Sequence, residues 1–482
     1  MIGRKIALLD GRQAGDEDLA PAYAVLSDLL KQAAEVRTFP LRELKLAHCI
    51  GCFACWLETP GVCRFRDAGQ EIAQAVMECD TVILLTPVSF GGYAPQLKLM
   101  VDRFLPTLLP YFGVYHGEVH HRPRYARYPR WVGIGVQRAG DAEEAGIFKL
   151  VVARNAINFH APSYAAEVVQ STDDPVRLQE ALRSALDRRD PFPWREPVRS
   201  MLPTGEPLPV GGDAEVARRA LLIVGSPKTK SPSTSGVLGE ELLGRLAKAG
   251  WQTESLTLKP STFREPGEAE LLAAVDRADL LLVAFPLYID VLPYLPTKAL
   301  EVIAEHRRAA GAGARPQGLF GLANNGFPEA HQNNLALSIL RRFAARSGMA
   351  WLGGMALGAG EGILGGRPLE AKGANGIPLF RISQALDAAG AALAPGRGPP
   401  GGGLAGDGQG ADPLHAPLHL APGVHERRGL VLAGAGGKPR RVQTRHAGCP
   451  SRRAGPVAGA AGVVATRWGR QPATETRSVP SV

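Results

Sequence analysis

No stretch of eighteen or more apolar residues occurs in the 482-residue chain, which excludes a membrane-spanning helix, so no membrane is expected as a partner. The opening MIGRKIALLDG lacks the long apolar run of a secretory leader, and Asp10 interrupts it at once. The expected compartment is the cytoplasm, where thiols stay reduced, so the 6 cysteines are not expected to pair as disulfides. No Ser–His–Asp set or paired carboxylates stand out, and hydrolase chemistry has no support. The net charge of +9 does not signal nucleic acid: residues 395–482 hold twelve Lys/Arg against four Asp/Glu, which leaves +1 for the rest of the chain. At 45% hydrophobic and 21% charged residues the composition is that of a soluble globular protein, and the length suggests about three domains.

What the chain does have is a concentration of sulfur. Four cysteines, Cys49, Cys52, Cys55 and Cys63, fall within HCIGCFACWLETPGVCRFRD, residues 48–67, in the spacing C-x2-C-x2-C-x7-C. Thiolates at such short intervals can wrap one inorganic cluster, the way short loops hold iron–sulfur centres. Zinc sites usually bring a second C-x2-C knuckle set well apart, and none exists here. The alternative is a tight loop of reduced thiols that serve packing.

Elsewhere short apolar runs alternate with helical spacings. Residues 5–9 (KIALL), 35–39 and 81–85 (TVILL) read as strands, with a helix over 20–31 between the first two. Asp67 stands where the next helix needs its N-cap. Pro95 opens a helix expected over 95–108, followed by strand 131–136, helix 143–157, strand 164–169 and helix 175–190. Residues 191–215, rich in Pro, Gly and charge, read as a linker. The pattern then restarts with strand 220–224, helix 236–249, strands 280–284 and 319–323, helix 333–347, strand 351–356 and a helix near 379–393. TPVSFGGYAPQLKLMVDRF aligns with FPLYIDVLPYLPTKALEVI, as a tandem duplication would require. The expectation is α/β, with two doubly wound domains, 1–190 and 216–394, each a parallel sheet covered on both faces. Residues 395–482 turn to Gly, Pro, Ala and Arg without a period, and are expected to be a disordered basic tail or an out-of-frame end of the gene.

No Gly-x-Gly-x-x-Gly follows the first strand of either half, which argues against a dinucleotide Rossmann domain. In the second half that position holds GSPKTKSPSTS, residues 225–235. Ser226, Lys228, Ser231, Ser233, Thr234 and Ser235 crowd hydroxyls and charge at a helix N-terminus, where orphan amides and the helix dipole favour a phosphate. The alternative is an ordinary polar loop with good N-caps.

On the CIGCFACW…TPGVC loop, residues 86–104 and residues 225–235, the chain resembles two copies of the flavodoxin-like NAD(P)H-dependent FMN reductase family. Its first half is similar to the iron–sulfur flavoproteins within that family. The resemblance implies two tandem flavodoxin-like domains with five-stranded parallel sheets of order 2-1-3-4-5, and ligands at the carboxyl ends of the strands. It implies FMN as cofactor, NAD(P)H as co-substrate and a 4Fe–4S cluster on the four cysteines. Ring contacts are implied at Thr86, Pro87, Val88, Ser89, Phe90, Gly91, Gly92 and Tyr93, and at Pro286, Leu287 and Tyr288 in the second half. Asn324, Asn325 and Gly326 follow the fourth strand, where such folds also contact the ring, although N-G is equally a turn dipeptide.

Two departures locate the flavin. The first-half loop GRQAGDED, residues 11–18, has no Ser or Thr and carries Asp16, Glu17 and Asp18, which repel a phosphate. The second half keeps that loop but has no cysteine before Cys449 and no Gly pair after its third strand. The flavin is therefore expected in the second half, with the cysteine loop facing residues 225–235 and 324–331 across a pseudo-two-fold packing. Residues 111–130 are expected to be a solvated irregular insertion rather than a lid or a reader of the NADPH 2′-phosphate. His160 and Cys79 are expected to pack. The leading expectation is an oxidoreductase moving a hydride from NAD(P)H to FMN and electrons onward, to a small-molecule or protein acceptor that the residues do not identify. The alternatives are a non-enzymatic electron carrier and a scaffold that has lost flavin. A homo-oligomer is also compatible with the resemblance.

Overall fold

A computed structural model describes residues 5–31, 35–193, 218–228, 232–369 and 379–394. Nearly all of the linker, Ser231 and the whole tail lie outside the described residues. Everything described belongs to one compact unit, Met1–His419. Among the described residues no helix is long and apolar enough to cross a membrane.

The continuous apolar runs become buried strands, and further strands join them. In the first half these are β1 (Lys5–Asp10), β2 (Glu35–Pro40), β3 (Thr81–Ser89), the short β4 (Gly92–Tyr93), β5 (Leu108–Tyr115), β6 (Glu118–Pro123), β7 (Arg130–Gln137) and β8 (Tyr164–Gln170). Five of them form a parallel sheet of order β2-β1-β3-β7-β8, with β4 antiparallel on the end of β3. The helices are α1 (Ala20–Leu30), α2 (Ala54–Leu57), α3 (Ala68–Glu78), α4 (Pro95–Val101), α5 (Ala142–Asn158) and α6 (Pro175–Asp187). Asp67 caps α3 by accepting from Gly69 N.

The second half repeats the plan with β9 (Arg219–Val224), α7 (Thr234–Lys248), β10 (Gln252–Thr257), α8 (Gly267–Arg277), β11 (Leu280–Pro286), α9 (Tyr294–Ala310), β12 (Gly318–Asn324), α10 (Asn334–Arg346), β13 (Ala350–Leu357), α11 (Gly360–Ile363) and α12 (Phe380–Leu393). Its five strands are parallel in the order β10-β9-β11-β12-β13, so both sheets have the flavodoxin-like order. The edge strand β10 and helix α8 have no counterpart in the sequence reading. QTESLT is almost wholly exposed at the sheet edge and carries no apolar run to announce it.

Two corrections concern the segment after α4. The helix expected over 95–108 is α-helical only to Val101, then tightens into a 3-10 turn, Asp102–Thr107, that contains Pro106. The irregular insertion expected over 111–130 is instead largely a β-hairpin, β5 against β6, turning through His116 (φ 51°) and Gly117 (φ 81°). Its tip half reaches the second half: Val119 N donates to Glu329 Oε1 at 3.1 Å, and Phe327 packs against Phe112 and His121 with ring centroids 5.4 and 5.3 Å apart.

The outer face of each sheet has its own core, under α1 and α6 in the first half and under α7 and α12 in the second. The inner faces share one core that runs from Val82, Leu84 and Phe148 to Ile223, Leu281 and Phe343. Helix α4 packs on α9, and α5 on α10. Each helix thus meets its own counterpart, as an approximate two-fold axis produces. The seam is not dry. Lys98 and Asp102, both fully buried, form an ion pair on α4. Lys98 Nζ also donates to Tyr288 O at 2.7 Å, and Asp102 Oδ2 accepts from Tyr294 N at 2.9 Å. Burial pulls the Lys98 pKa down and pushes the Asp102 carboxyl up, and each partner's charge opposes that. Further along, Asp290 accepts from Asn158 at 2.5 Å and Asn155 at 3.2 Å, and Glu118 meets His331 at 2.6 Å and Arg154.

Removing one partner of a buried pair strands the other charge. Asp102→Ala is expected to lower the unfolding free energy by about 3–5 kcal/mol in urea titrations. The double change Lys98→Met with Asp102→Leu should cost less than Asp102→Ala alone. A single variant within about 1 kcal/mol of the parent would show that the pair does not hold the seam.

Candidate functional site

The parallel strands β9, β11 and β12 are neighbours, so their carboxyl ends, where doubly wound sheets hold ligands, form the candidate crevice of the second half. Gly225 follows β9 and lies so close to α9 that a Cβ there would meet Pro296 at 2.9 Å. Ser226, Thr234 and Ser235 are buried, and Ser233 is the N-cap of α7, accepting from Gly236 N at 3.0 Å. After β11, Leu287 N donates to Asn324 O at 2.7 Å, and residues 288–291 close a tight turn with Ile289 at φ 46° and Asp290 at φ 64°. Asn324 and Asn325 end β12, buried, and each has a side-chain oxygen with no hydrogen-bond partner among the described residues. These two oxygens leave acceptor valences open at the end of the strand. Gly326 follows them, and Pro286 and Leu287 lead into the Tyr288 turn.

The cysteine loop of the first half comes to this crevice. Its two ends are tied by Arg103, only 1% exposed at its side chain, which donates to Ala47 O at 2.6 Å and grips both oxygens of Asp67 at 2.7 and 2.9 Å. Between those ends the backbone turns through Gly51 (φ 63°) and Phe53 (φ 55°) into α2. Trp56 stacks on Phe53 with centroids 5.3 Å apart and donates to Leu108 O at 2.9 Å, which fixes α2 to the hairpin. Gly51 sits against the Tyr288 hydroxyl with no room for a Cβ. Burial, and then the nearby Cys49, Asp102, Glu361 and Cys52, push the Tyr288 phenol well above its ordinary range, so it stays protonated. Burial also raises the Cys49 and Cys55 thiols to about 12, while Cys52 is exposed. Soft thiolates are the donor set of an iron–sulfur cluster. Among the described residues, however, no three possible ligands converge on one point, so the donor chemistry fits a cluster and the geometry does not close around one.

Thr86, Pro87, Val88, Ser89, Phe90, Gly91, Gly92 and Tyr93 are not brought to this crevice. Nearly all are buried under the second half, where a Cβ on Gly92 would touch Ile339 at 3.2 Å and Phe90 lies edge-on to Phe343 at 5.4 Å. The acidic first-half loop is neutralised from within: Arg138 pairs with Asp16 at 2.5 Å and Asp18 at 2.8 Å, and Gln13 donates to Glu301 of α9 at 3.0 Å. His160 Nε2 donates to His121 O at 2.7 Å, and Cys79 is buried. The sequence reading passed over Lys98, Asp102, Arg103 and Glu361. Lys98 and Asp102, four apart on an apolar helix, were a usable signal; Glu361 lay in a glycine-rich stretch that reads as loop.

The family described as NADPH-dependent FMN reductase matches residues 21–122. The match lies within the first half and covers less than half of the chain. An iron–sulfur flavoprotein of Methanocaldococcus jannaschii is 37% identical over 81 residues, 17% of this chain and 41% of that protein. An iron–sulfur flavoprotein of Archaeoglobus fulgidus is 35% identical over 83 residues, 17% of this chain and 37% of that protein. The chain thus spans about two fifths of the length of these curated relatives. Among solved structures, the Trp repressor binding protein from Bacillus subtilis is 16% identical with a TM-score of 0.28, covering 36% of this chain and 100% of that one. The NAD(P)H:quinone oxidoreductase from Methanothermobacter marburgensis is 16% identical with a TM-score of 0.25, covering 36% of this chain and 96% of that one. The FMN reductase match falls on the half whose loop after its first strand, residues 11–18, has no Ser or Thr.

Gly51→Ala is expected to cost about 1–3 kcal/mol for the left-handed backbone and more for displacing Tyr288. Gly61→Ala is the control, since its φ is 89° but its Cβ would meet only Arg124 at 3.5 Å or beyond. Equal urea midpoints for the two variants would show that Gly51 does not bear on Tyr288.

Proposed function

We propose that the chain is a flavin-dependent oxidoreductase that takes a hydride from NAD(P)H onto FMN held in the second-half crevice. The observation that supports this most is the convergence there of a hydroxyl- and lysine-bearing loop, two partnerless amide oxygens and the Tyr288 turn. FMN, when bound, supplies the redox chemistry. The residues do the rest. Lys228 and the amides and hydroxyls at the start of α7 neutralise and orient the phosphate of FMN. Asn324 and Asn325 meet polar edges of the flavin with groups that otherwise have no partner. Tyr288, protonated, offers a neutral donor and separates the crevice from the cysteine loop. One site per chain follows, because the first-half loop has no hydroxyls and is filled by Gln13 and Glu301.

The finer part of this reading is that Cys49, Cys52, Cys55 and Cys63 hold a 4Fe–4S cluster. Its support is the thiolate donor set and the likeness of this region to proteins named iron–sulfur flavoproteins. No step is assigned to the cluster.

Replacing Ser233, Thr234 and Ser235 together by Ala should strip FMN from the purified protein. Loss of the N-cap costs only about 0.5–2 kcal/mol, so a cooperative thermal transition should persist. Ser89→Ala should leave flavin content unchanged. Flavin retained by the triple variant, or lost from Ser89→Ala, refutes the second-half site. Bleaching of the flavin band by NADH or NADPH separates an enzyme from a passive carrier. Iron and sulfide content lost on Cys52→Ser tests the cluster.

A further inference from the structure

The phosphate cradle of the second half already contains an anion. Lys228 Nζ pairs with Glu361 Oε1 at 2.5 Å, and Thr234 Oγ1 donates to Glu361 Oε2 at 3.3 Å. Both are groups that the flavin reading assigns to the phosphate of FMN, and a carboxylate presents two oxygens of the same charge sign.

Glu361 is delivered by a strap that leaves the end of β13 and passes between the two ligand loops. Ala359 N donates to Phe327 O at 2.6 Å and Gly360 N to Asn325 O at 2.9 Å, which hang the strap on the loop after β12. A Cβ on Gly360 would press on Asn324 at 3.1 Å and Thr234 at 3.2 Å. At the other end, Gly366 meets Pro232 O with no space for a side chain. The carboxylate is thus set on Lys228 and Thr234 by contacts at both ends of the strap. It is only partly buried, with 25% of its side chain exposed, so it can swing out without unfolding the core.

A phosphate dianion and the Glu361 carboxylate cannot share Lys228 and Thr234, because like charges at contact distance repel strongly in a half-dry crevice. We propose that Glu361 is an internal occupant of the phosphate cradle, that FMN binds by displacing it, and that residues 358–366 act as a strap whose position depends on flavin occupancy. This rests on the flavin reading of the same crevice. The device sets affinity and selectivity together: a flavin bearing a phosphate competes with Glu361, whereas riboflavin leaves the Lys228–Glu361 pair in place.

The test titrates flavin-free protein with FMN and with riboflavin, following quenching of flavin fluorescence. Glu361→Gln keeps the shape of the side chain and removes its charge. It should tighten FMN binding roughly ten-fold, by removing the competing anion, and change riboflavin binding less than about two-fold. Combining it with Lys228→Ala should erase the gain. Hydrogen exchange supplies a second readout: FMN should raise exchange across residues 358–366 in the parent protein, and riboflavin should not. FMN binding that is unchanged or weakened by Glu361→Gln overturns the proposal while leaving the flavin reading intact, because Glu361 would then be indifferent or a ligand. Failure of both the parent and Glu361→Gln to bind FMN overturns this proposal and the flavin reading together, in favour of a scaffold without flavin.

Discussion

The buried pair of Lys98 and Asp102 is the interaction on which the candidate site depends. Two charges removed from water are costly unless every polar valence around them is used. Here they are used across the seam: Lys98 holds Tyr288 O, and Asp102 receives Tyr294 N. The segment between β11 and α9 is therefore shaped by the first half. Its turn places the Tyr288 hydroxyl against Gly51, and its helix start sets α9 against α4. Neither half could build this crevice alone, because the side chains that fix the loop belong to one half and the loop to the other.

The same dependence explains how the two halves differ. The start of α7 in the second half carries the hydroxyls of Ser233, Thr234 and Ser235. In the first half the corresponding segment has turned inward. Arg12 grips Asp10 at 2.9 and 2.7 Å, Arg138 closes over Asp16 and Asp18, and Glu301 comes in from α9. Asp10, Asp16 and Asp18 thus each have an arginine partner within the protein. What the first half contributes instead is the cysteine loop and the hairpin that braces it.

Much of this was legible in the sequence. KIALL, TVILL, ALLIV and LLLVA are too short for helices and too uniformly apolar for half-exposed strands, so a doubly covered parallel sheet follows from them. Asp67 announced its cap, and GSPKTKSPSTS held the N-cap of α7, Ser233. The failures share a cause. β10 is an edge strand with exposed Thr, Glu and Ser, where burial imposes no pattern. The hairpin 108–123 is held by Glu118, His120 and Phe112, a polar and aromatic mixture that reads as loop because its packing partner is some two hundred residues away. Asp290 is a buried charge whose hydrogen-bond donors, Asn155 and Asn158, come from the other half, and no local window contains the reason for it. Glu361 is the clearest case, since its meaning is set by Lys228, which lies 133 positions earlier.

The cysteine loop follows the same rule at shorter range. Arg103, one of the most deeply buried cations in the fold, closes the loop by joining Ala47 to Asp67, and it does so with protein groups alone. Burial pushes the Asp67 carboxyl up, but the hydrogen bonds and charge of Arg103 outweigh it and hold the group below the usual carboxylate range. The loop entrance is therefore set before any ligand arrives, and Gly51 sets its distance from Tyr288. The thiols at Cys49 and Cys55 lie inside this closed base and resist ionisation, whereas Cys52 stands at the surface. A group bound there would sit behind the wall that Tyr288 forms, on the first-half side of the crevice. Joining both halves in one chain fixes, by covalent connection and a buried ion pair, an arrangement that separate subunits would have to recover at every encounter.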